Sequence, residues 1–160
     1  CMHSKIHIFD LMKKETFDSA LRSTWNLVSR MYNKEASKFD STMATGFALL
    51  SIDAEGTPST TLGPKMGMES TSLSRLLNTM EENNLIYRAQ NPDDGRSILV
   101  HLTPFGKEKR DDSKDVVLHF NKIIEESLSH EKITTFFEVI NNIKEKAQNF
   151  EHFTPILKTK

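Results

Sequence analysis

Cysteine is nearly missing from this 160-residue chain, where Cys1 is the single one. One thiol cannot form an intramolecular disulfide, and a zinc site built on several cysteines is excluded. Cys1 stands directly before Met2 and reads as a residue left by an expression tag, an acylated lipoprotein terminus being the alternative. Long apolar runs are missing as well. No stretch approaches the roughly 18 residues of a membrane-spanning helix. The N-terminus lacks the basic start, apolar centre and small-residue cleavage site of a signal peptide, so the cytoplasm is the expected location and no membrane partner is expected. A surplus of positive charge is also missing. The 21 Lys and Arg against 22 Asp and Glu leave a net charge of −1, which argues against a broad basic surface that neutralises nucleic-acid phosphates wholesale. No Gly-rich phosphate loop or nucleophile elbow occurs, and no metal-ligand spacing, so neither an enzyme nor a cofactor is expected.

What is present fits a folded chain. Apolar residues make up 37% and charged residues 27%, ordinary values for a globular domain, and residues 1–160 are expected to form one. Phe17, Leu21, Trp25, Val28 and Tyr32 recur at steps of three and four, which predicts a long amphipathic helix over residues 16–37. Asp40, Ser41 and Thr42 supply capping groups for a second helix bearing Met43, Phe47 and Leu50, which Gly56 and Pro58 are expected to stop.

Thr61-Leu62-Gly63-Pro64-Lys65-Met66-Gly67-Met68 then reads as a short helix ending at a glycine. Pro64 costs a hydrogen bond unless it falls in the first turn, so this helix is expected to start late. Glu69-Ser70-Thr71-Ser72 opens another, and short helix, glycine turn, capped helix is the helix-turn-helix pattern. Advancing about 100° per residue puts Leu73, Leu76, Leu77 and Met80 on one arc and Thr71, Arg75, Asn78 and Glu82 on the opposite one. The second arc carries the donors and acceptors that base edges and phosphates require. Asn83-Asn84 suits a left-handed helix end. Leu85-Ile86-Tyr87-Arg88-Ala89-Gln90 and Ser97-Ile98-Leu99-Val100-His101-Leu102 read as two strands across a turn-rich loop. Thr103-Pro104 starts a further helix with Val117, Phe120, Ile124 and Leu128 on its inner face. Ser129-His130 breaks it, and Ile133, Phe136, Phe137, Ile140 and Ile143 mark a last helix to about residue 150. The fold class is therefore mainly α with a small β-hairpin wing. A reading lobe over residues 41–103 is flanked by helical regions at 5–38 and 104–150, whose apolar faces exceed what one small domain needs and predict an obligate dimer. Four of the six arginines (Arg75, Arg88, Arg96 and Arg110) fall in residues 59–110, where Arg suits bidentate phosphate and guanine contacts.

In element order nearly the whole chain resembles the MarR-type regulators, most specifically from Leu62 to Pro104. The resemblance is carried by residues 62–68, by Ser70-Thr71-Ser72-Leu73-Ser74-Arg75-Leu76-Leu77, by Leu85-Ile86-Tyr87-Arg88, by Asp94-Gly95-Arg96 and by Leu102-Thr103-Pro104-Phe105-Gly106. It implies a triangular homodimer, held by the first and the last two helices, that binds pseudo-palindromic duplex DNA as a transcription regulator. A recognition helix would enter each major groove and a wing arginine each flanking minor groove. Carried onto this sequence, the groove-facing residues are Ser70, Thr71, Ser72, Ser74, Arg75 and Asn78. Arg96 is the wing-tip arginine, with Asp94 orienting its guanidinium. If Lys65 and Arg88 join Arg75 and Arg96 on phosphates in both copies, about eight contacts give a log-log salt slope of roughly −7.

The resemblance also implies a small aromatic or phenolic effector. Trp25, Met43, Phe47, His119 and Phe120 are the candidate lining, with ordinary core packing as the alternative reading. Thiol-based peroxide sensing needs a placed reactive cysteine, which Cys1 is not. His3, His7, His101, His119, His130 and His152 lack accompanying cysteines or a tight carboxylate cluster, so no metal is expected. The rival function is a winged-helix protein-interaction module without DNA binding, which the near-neutral charge favours and the placement of Arg75 and Arg96 opposes.

Overall fold

A computed structural model describes residues 15–150. Cys1, His3, His7, His152 and residues 5–14 of the expected helical flank lie outside them. The described residues divide into two compact units, one up to Val116 and one from Val117.

The first unit opens with helix α1, Phe17–Ser37, whose N-cap Thr16 accepts from the Ser19 N–H. Helix α2, Met43–Ser51, is capped by the Thr42 hydroxyl, which accepts from the Thr45 N–H at 3.1 Å. Asn33 of α1 reaches across to take the first N–H of α2, from Met43, at 3.0 Å. The helix does not run on to Gly56 as expected. Its C-cap Ile52 is already extended, and the Thr57 hydroxyl accepts from the Asp53 N–H at 2.9 Å while donating to the Asp53 carboxylate at 3.0 Å. That local closure turns the chain into a strand the sequence reading lacked, β1, Thr57–Pro58.

Helix α3, Ser59–Met66, follows directly, and Pro64 lies inside it. The expected late start is therefore wrong. Thr60, four residues before Pro64, is exposed, so water can satisfy the carbonyl that proline leaves without a donor. Gly67 ends α3 at φ 64°, and the Met68 N–H returns to the Gly63 carbonyl at 2.9 Å, a left-handed closure that favours glycine. Helix α4, Ser70–Glu82, buries Leu73, Leu77 and Met80 and packs Leu76 against the core edge. It ends at Asn83, with Asn84 at φ 56°.

Strands β2, Ile86–Gln90, and β3, Ile98–Leu102, pair antiparallel with Arg88 opposite Val100, and β1 joins the free edge of β3 to give the order β1-β3-β2. Helix α5, Pro104–Ser127, starts against them. The buried Thr103 hydroxyl donates to the Asn84 carbonyl at 2.6 Å and accepts from the Gly106 N–H at 2.9 Å, while the Thr103 N–H donates to the Leu85 carbonyl at 3.1 Å. Further along α5, Lys109 bonds Asp112 at 2.9 Å, and its ammonium lies over the rings of Phe39 and Phe105. Bonding to Asp112 pushes the Lys109 pKa up.

Every buried apolar residue of the core, from Ala48 to Leu102, belongs to the reading lobe. Leu49, Leu62, Met80, Ile86 and Val100 are its largest fully buried members, each worth about 1.5–3 kcal/mol by removal from water. Helix α1 buries nothing, and Phe17 and Trp25 on its apolar stripe are 72% and 51% exposed.

The second unit comprises the end of α5 from Val117 and helix α6, His130–Gln148, with Ser129 as N-cap. No residue of α6 is buried, and Phe136 and Phe137 stand exposed, edge to face at 5.3 Å.

Two glycines separate packing from backbone strain. A Cβ on Gly106 would overlap the Leu85 carbonyl, which is backbone and cannot swing away, whereas one on Gly67 would meet nothing. In urea unfolding, Gly106→Ala is expected to lose at least about 2 kcal/mol through overpacking. Gly67→Ala is expected to lose about 1 kcal/mol through the left-handed φ alone. The reverse order would refute the close packing of α5 on the α4–β2 junction.

Candidate nucleic-acid interface

The outward arc of α4 follows from the burial of its leucines. With Leu73, Leu77 and Met80 turned to the core, Ser70, Thr71, Ser72, Ser74, Arg75 and Asn78 are all exposed. The N-cap Glu69 makes no side-chain capping bond, so the N–H groups at the start of α4 take no carboxylate from it. Ser74 donates its hydroxyl back to the Ser70 carbonyl at 2.8 Å, as Thr79 does to Arg75 at 3.2 Å. That use of the hydroxyl proton leaves Ser74 an acceptor toward anything outside the helix.

The expected cations divide into two kinds. The guanidinium groups of Arg75 and Arg96 make no hydrogen bond or ion pair among the described residues. Lys65 and Arg88 are engaged within the fold. The Lys65 ammonium donates to the Ser51 carbonyl at the end of α2 at 2.8 Å and lies 3.5 Å from the Asp53 carboxylate, a favourable place for a cation at a helix C-terminus. Arg88 donates through Nη1 to Glu81 Oε2 at 2.9 Å and through Nη2 to Asn78 Oδ1 at 2.8 Å. The structure thus brings Asn78, Glu81 and Arg88 into one network that the sequence reading missed. The spacing of Asn78 and Glu81, three apart on one helix face, was the available signal.

At the wing, the Asp94 carboxylate accepts from the Arg96 backbone N–H at 3.1 Å. The expectation that it orients the Arg96 guanidinium is corrected, because an aspartate two residues ahead in a turn closes on the backbone. The loop is tied further by Gln90 Nε2 to the Gly95 carbonyl, Asn91 Nδ2 to Ser97 Oγ and the Ser97 N–H to the Asp94 carbonyl, each at 2.9 Å. The wing tip is held at its backbone while the Arg96 side chain projects freely. On the sheet, Tyr87 stacks on His101 at 5.0 Å.

Of the candidate effector residues in the first unit, Trp25 stacks on Phe47 at 6.3 Å, and Tyr32 meets Phe47 edge-on at 5.7 Å. Tyr32 was omitted from that set, although it lies two turns beyond Trp25 on the same stripe. Burial pushes its phenol pKa up. Met43 is half-buried at the start of α2. His119 and Phe120 lie on the part of α5 in the second unit. Among the described residues, no three His, Cys, Asp or Glu side chains gather as metal ligands, and no helix is long and apolar enough to cross a membrane.

Residues 42–98, which span the reading lobe from α2 into the wing, match the MarR family model. The chain is 27% identical over 133 residues to the HTH-type transcriptional regulator SarZ of Staphylococcus saprophyticus, covering 79% of this chain and 82% of that protein. It is 28% identical over 90 residues to the HTH-type transcriptional regulator YdgJ of Bacillus subtilis, covering 56% of this chain and 55% of that relative, just over half its length. Among solved structures, a MepR–DNA complex from S. aureus superposes with a TM-score of 0.76 at 18% identity, covering 83% of this chain and 99% of MepR. PcaV of Streptomyces coelicolor, in complex with its natural ligand, gives 0.69 at 20% identity over 82% and 93% of the two chains. SarZ, YdgJ and PcaV are transcription regulators by name. A winged helix-turn-helix lobe whose residues 42–98 match the MarR family model, with these relatives beside it, makes the chain similar to MarR-family regulators in that lobe and in fold.

Proposed function

We propose that the protein regulates transcription by binding pseudo-palindromic duplex DNA as a homodimer, with α4 in the major groove and Arg96 at the flanking minor groove. The observation that carries this reading is the exposed Thr71–Arg75–Asn78 face of α4 beside a wing whose backbone is fixed and whose arginine is free. Local placement supplies what net charge does not, since base-edge contacts specify and a few phosphate contacts position. The MepR–DNA complex among the structural neighbours supports the same reading.

The homodimer is supported by the exposed apolar stripe of α1 and by α6, none of whose apolar residues is fully buried among the described residues. Repression by occluding a promoter is the proposed action. A small aromatic or phenolic effector is its proposed modulator, resting in part on the Trp25–Phe47 pair. Such a ligand would shift the dimer between groove-spaced and unspaced populations.

Selection from random duplexes should enrich a two-fold-symmetric motif. Retention of no duplex at about 50 mM salt, where phosphate contacts are strong, would overturn the regulator in favour of a protein-interaction module. With only Arg75 and Arg96 free in each of two copies, about four phosphate contacts give a log-log salt slope near −3.6. A measured slope near −7 would mean that Lys65 and Arg88 leave their partners. At the wing, Arg96→Ala should weaken binding about tenfold, with the loss depending on flanking sequence. Asp94→Ala keeps the guanidinium but frees the turn, and should cost about fivefold, the worth of one hydrogen bond. Wild-type affinity in both variants would sink the wing assignment.

A further inference from the structure

The proposed reading face contains one side chain whose hydrogen-bonding polarity the fold has already decided. Asn78 is exposed on α4, yet its Oδ1 accepts from Arg88 Nη2 at 2.8 Å, while Arg88 Nη1 donates to Glu81 Oε2 at 2.9 Å. A guanidinium has donors and no acceptor, so only the oxygen end of the Asn78 amide can face it. The amide therefore cannot flip without breaking that bond. Glu81 in turn fixes Arg88, because the planar fork can serve a carboxylate and an amide oxygen at once, which a lysine ammonium cannot do with the same geometry. Arg88 is only 30% exposed at its side chain and neutralised by Glu81, so it is placed to hold Asn78 and not to meet a phosphate.

Free asparagine reads adenine bidentately, accepting from the N6 amino group and donating to N7. In this chain Arg88 Nη2 takes one of the two lone pairs of Oδ1 and sets which way the amide points, so a ligand meets an acceptor already engaged once and an Nδ2 amino group with both N–H donors open. Resting on the DNA-binding reading above, we infer that Arg88 is a positioning residue which fixes the Asn78 amide with its donors open and its acceptor already engaged, so that the base edge it favours is guanine, with its N7 and O6 acceptors, over adenine.

The test is selection from random duplexes by the full chain, wild type against Asn78→Ala, Arg88→Met, Arg88→Lys and Glu81→Gln, with each variant's fold checked by circular dichroism and thermal melting. The half-site position read by Asn78 is the one at which Asn78→Ala levels the base preference. In the wild type that position should favour guanine by roughly tenfold. In Arg88→Met the amide is free to turn, and the same position should move to adenine while the other half-site positions keep their bases. Glu81→Gln and Arg88→Lys, which loosen the network without removing it, should weaken the guanine preference and carry the test if Arg88→Met does not fold. A purely structural role for Arg88 would lower affinity for all sequences alike and change no base. Adenine at this position in the wild type, or the same base in the wild type and the variants, overturns the inference while leaving DNA binding standing. Retention of no symmetric motif by the wild type overturns both.

Discussion

The reading lobe depends on how the chain leaves α4 and enters the sheet. At Asn84 and Leu85 the backbone turns through a left-handed residue, and Thr103 closes on both carbonyls from the far end of the hairpin. One threonine thereby satisfies the Asn84 carbonyl and the carbonyl of buried Leu85, takes the Gly106 N–H and starts α5. Backbone groups buried without partners are costly, and here the same residue that removes that cost fixes the angle between recognition helix, wing and the next helix. Gly106 is required because α5 must come against the Leu85 carbonyl.

A second constraint is electrostatic. A chain of net charge −1 cannot rely on a diffuse positive field to find DNA, so each free cation counts for more. The fold uses Lys65 at the end of α2 and Arg88 on Glu81 and Asn78, and leaves Arg75 and Arg96 unpaired among the described residues. In the proposed DNA complex, such an arrangement trades non-specific affinity for orientation. Fewer phosphate contacts mean weaker binding to arbitrary sequence, and a larger share of the binding free energy then comes from base edges.

Much of the architecture was legible because periodicity records burial. The leucine arc of α4, the alternating strands, the Thr42 cap and the glycine end of α3 all follow from local chemistry. The two-residue strand β1 was not legible, because Gly56 and Pro58 signal only an ending, and a proline tolerated at a sheet edge reveals no partner. Pro64 was misread for a related reason, since water access to Thr60 is a property of the fold. The exposed positions of the site could be named from the helix arc, but which cations are engaged could not. Lys65 meets a carbonyl 14 residues back, and Arg88 an amide 10 residues back, and such pairings are set by tertiary structure. Asp94 was the exception that local rules could have found, since closing on an N–H two residues on is what aspartate does in turns.

The distribution of the core has one more consequence. Among the described residues the buried apolar core lies in the lobe, while α1 and α6 have no fully buried residue and expose Phe17, Leu21, Phe136 and Phe137. A lobe with its own core keeps the spacing of Arg75, Asn78 and Arg96 fixed as a unit. Helix α1 is held to the lobe by the Asn33–Met43 bond and the contacts of Trp25 and Tyr32 with Phe47, and in the proposed dimer the exposed remainder of its apolar stripe faces the partner copy. The distance between two reading lobes is then governed by an interface separate from the lobes themselves. A ligand that binds two arrangements of that interface unequally changes groove spacing without altering a single DNA-reading side chain.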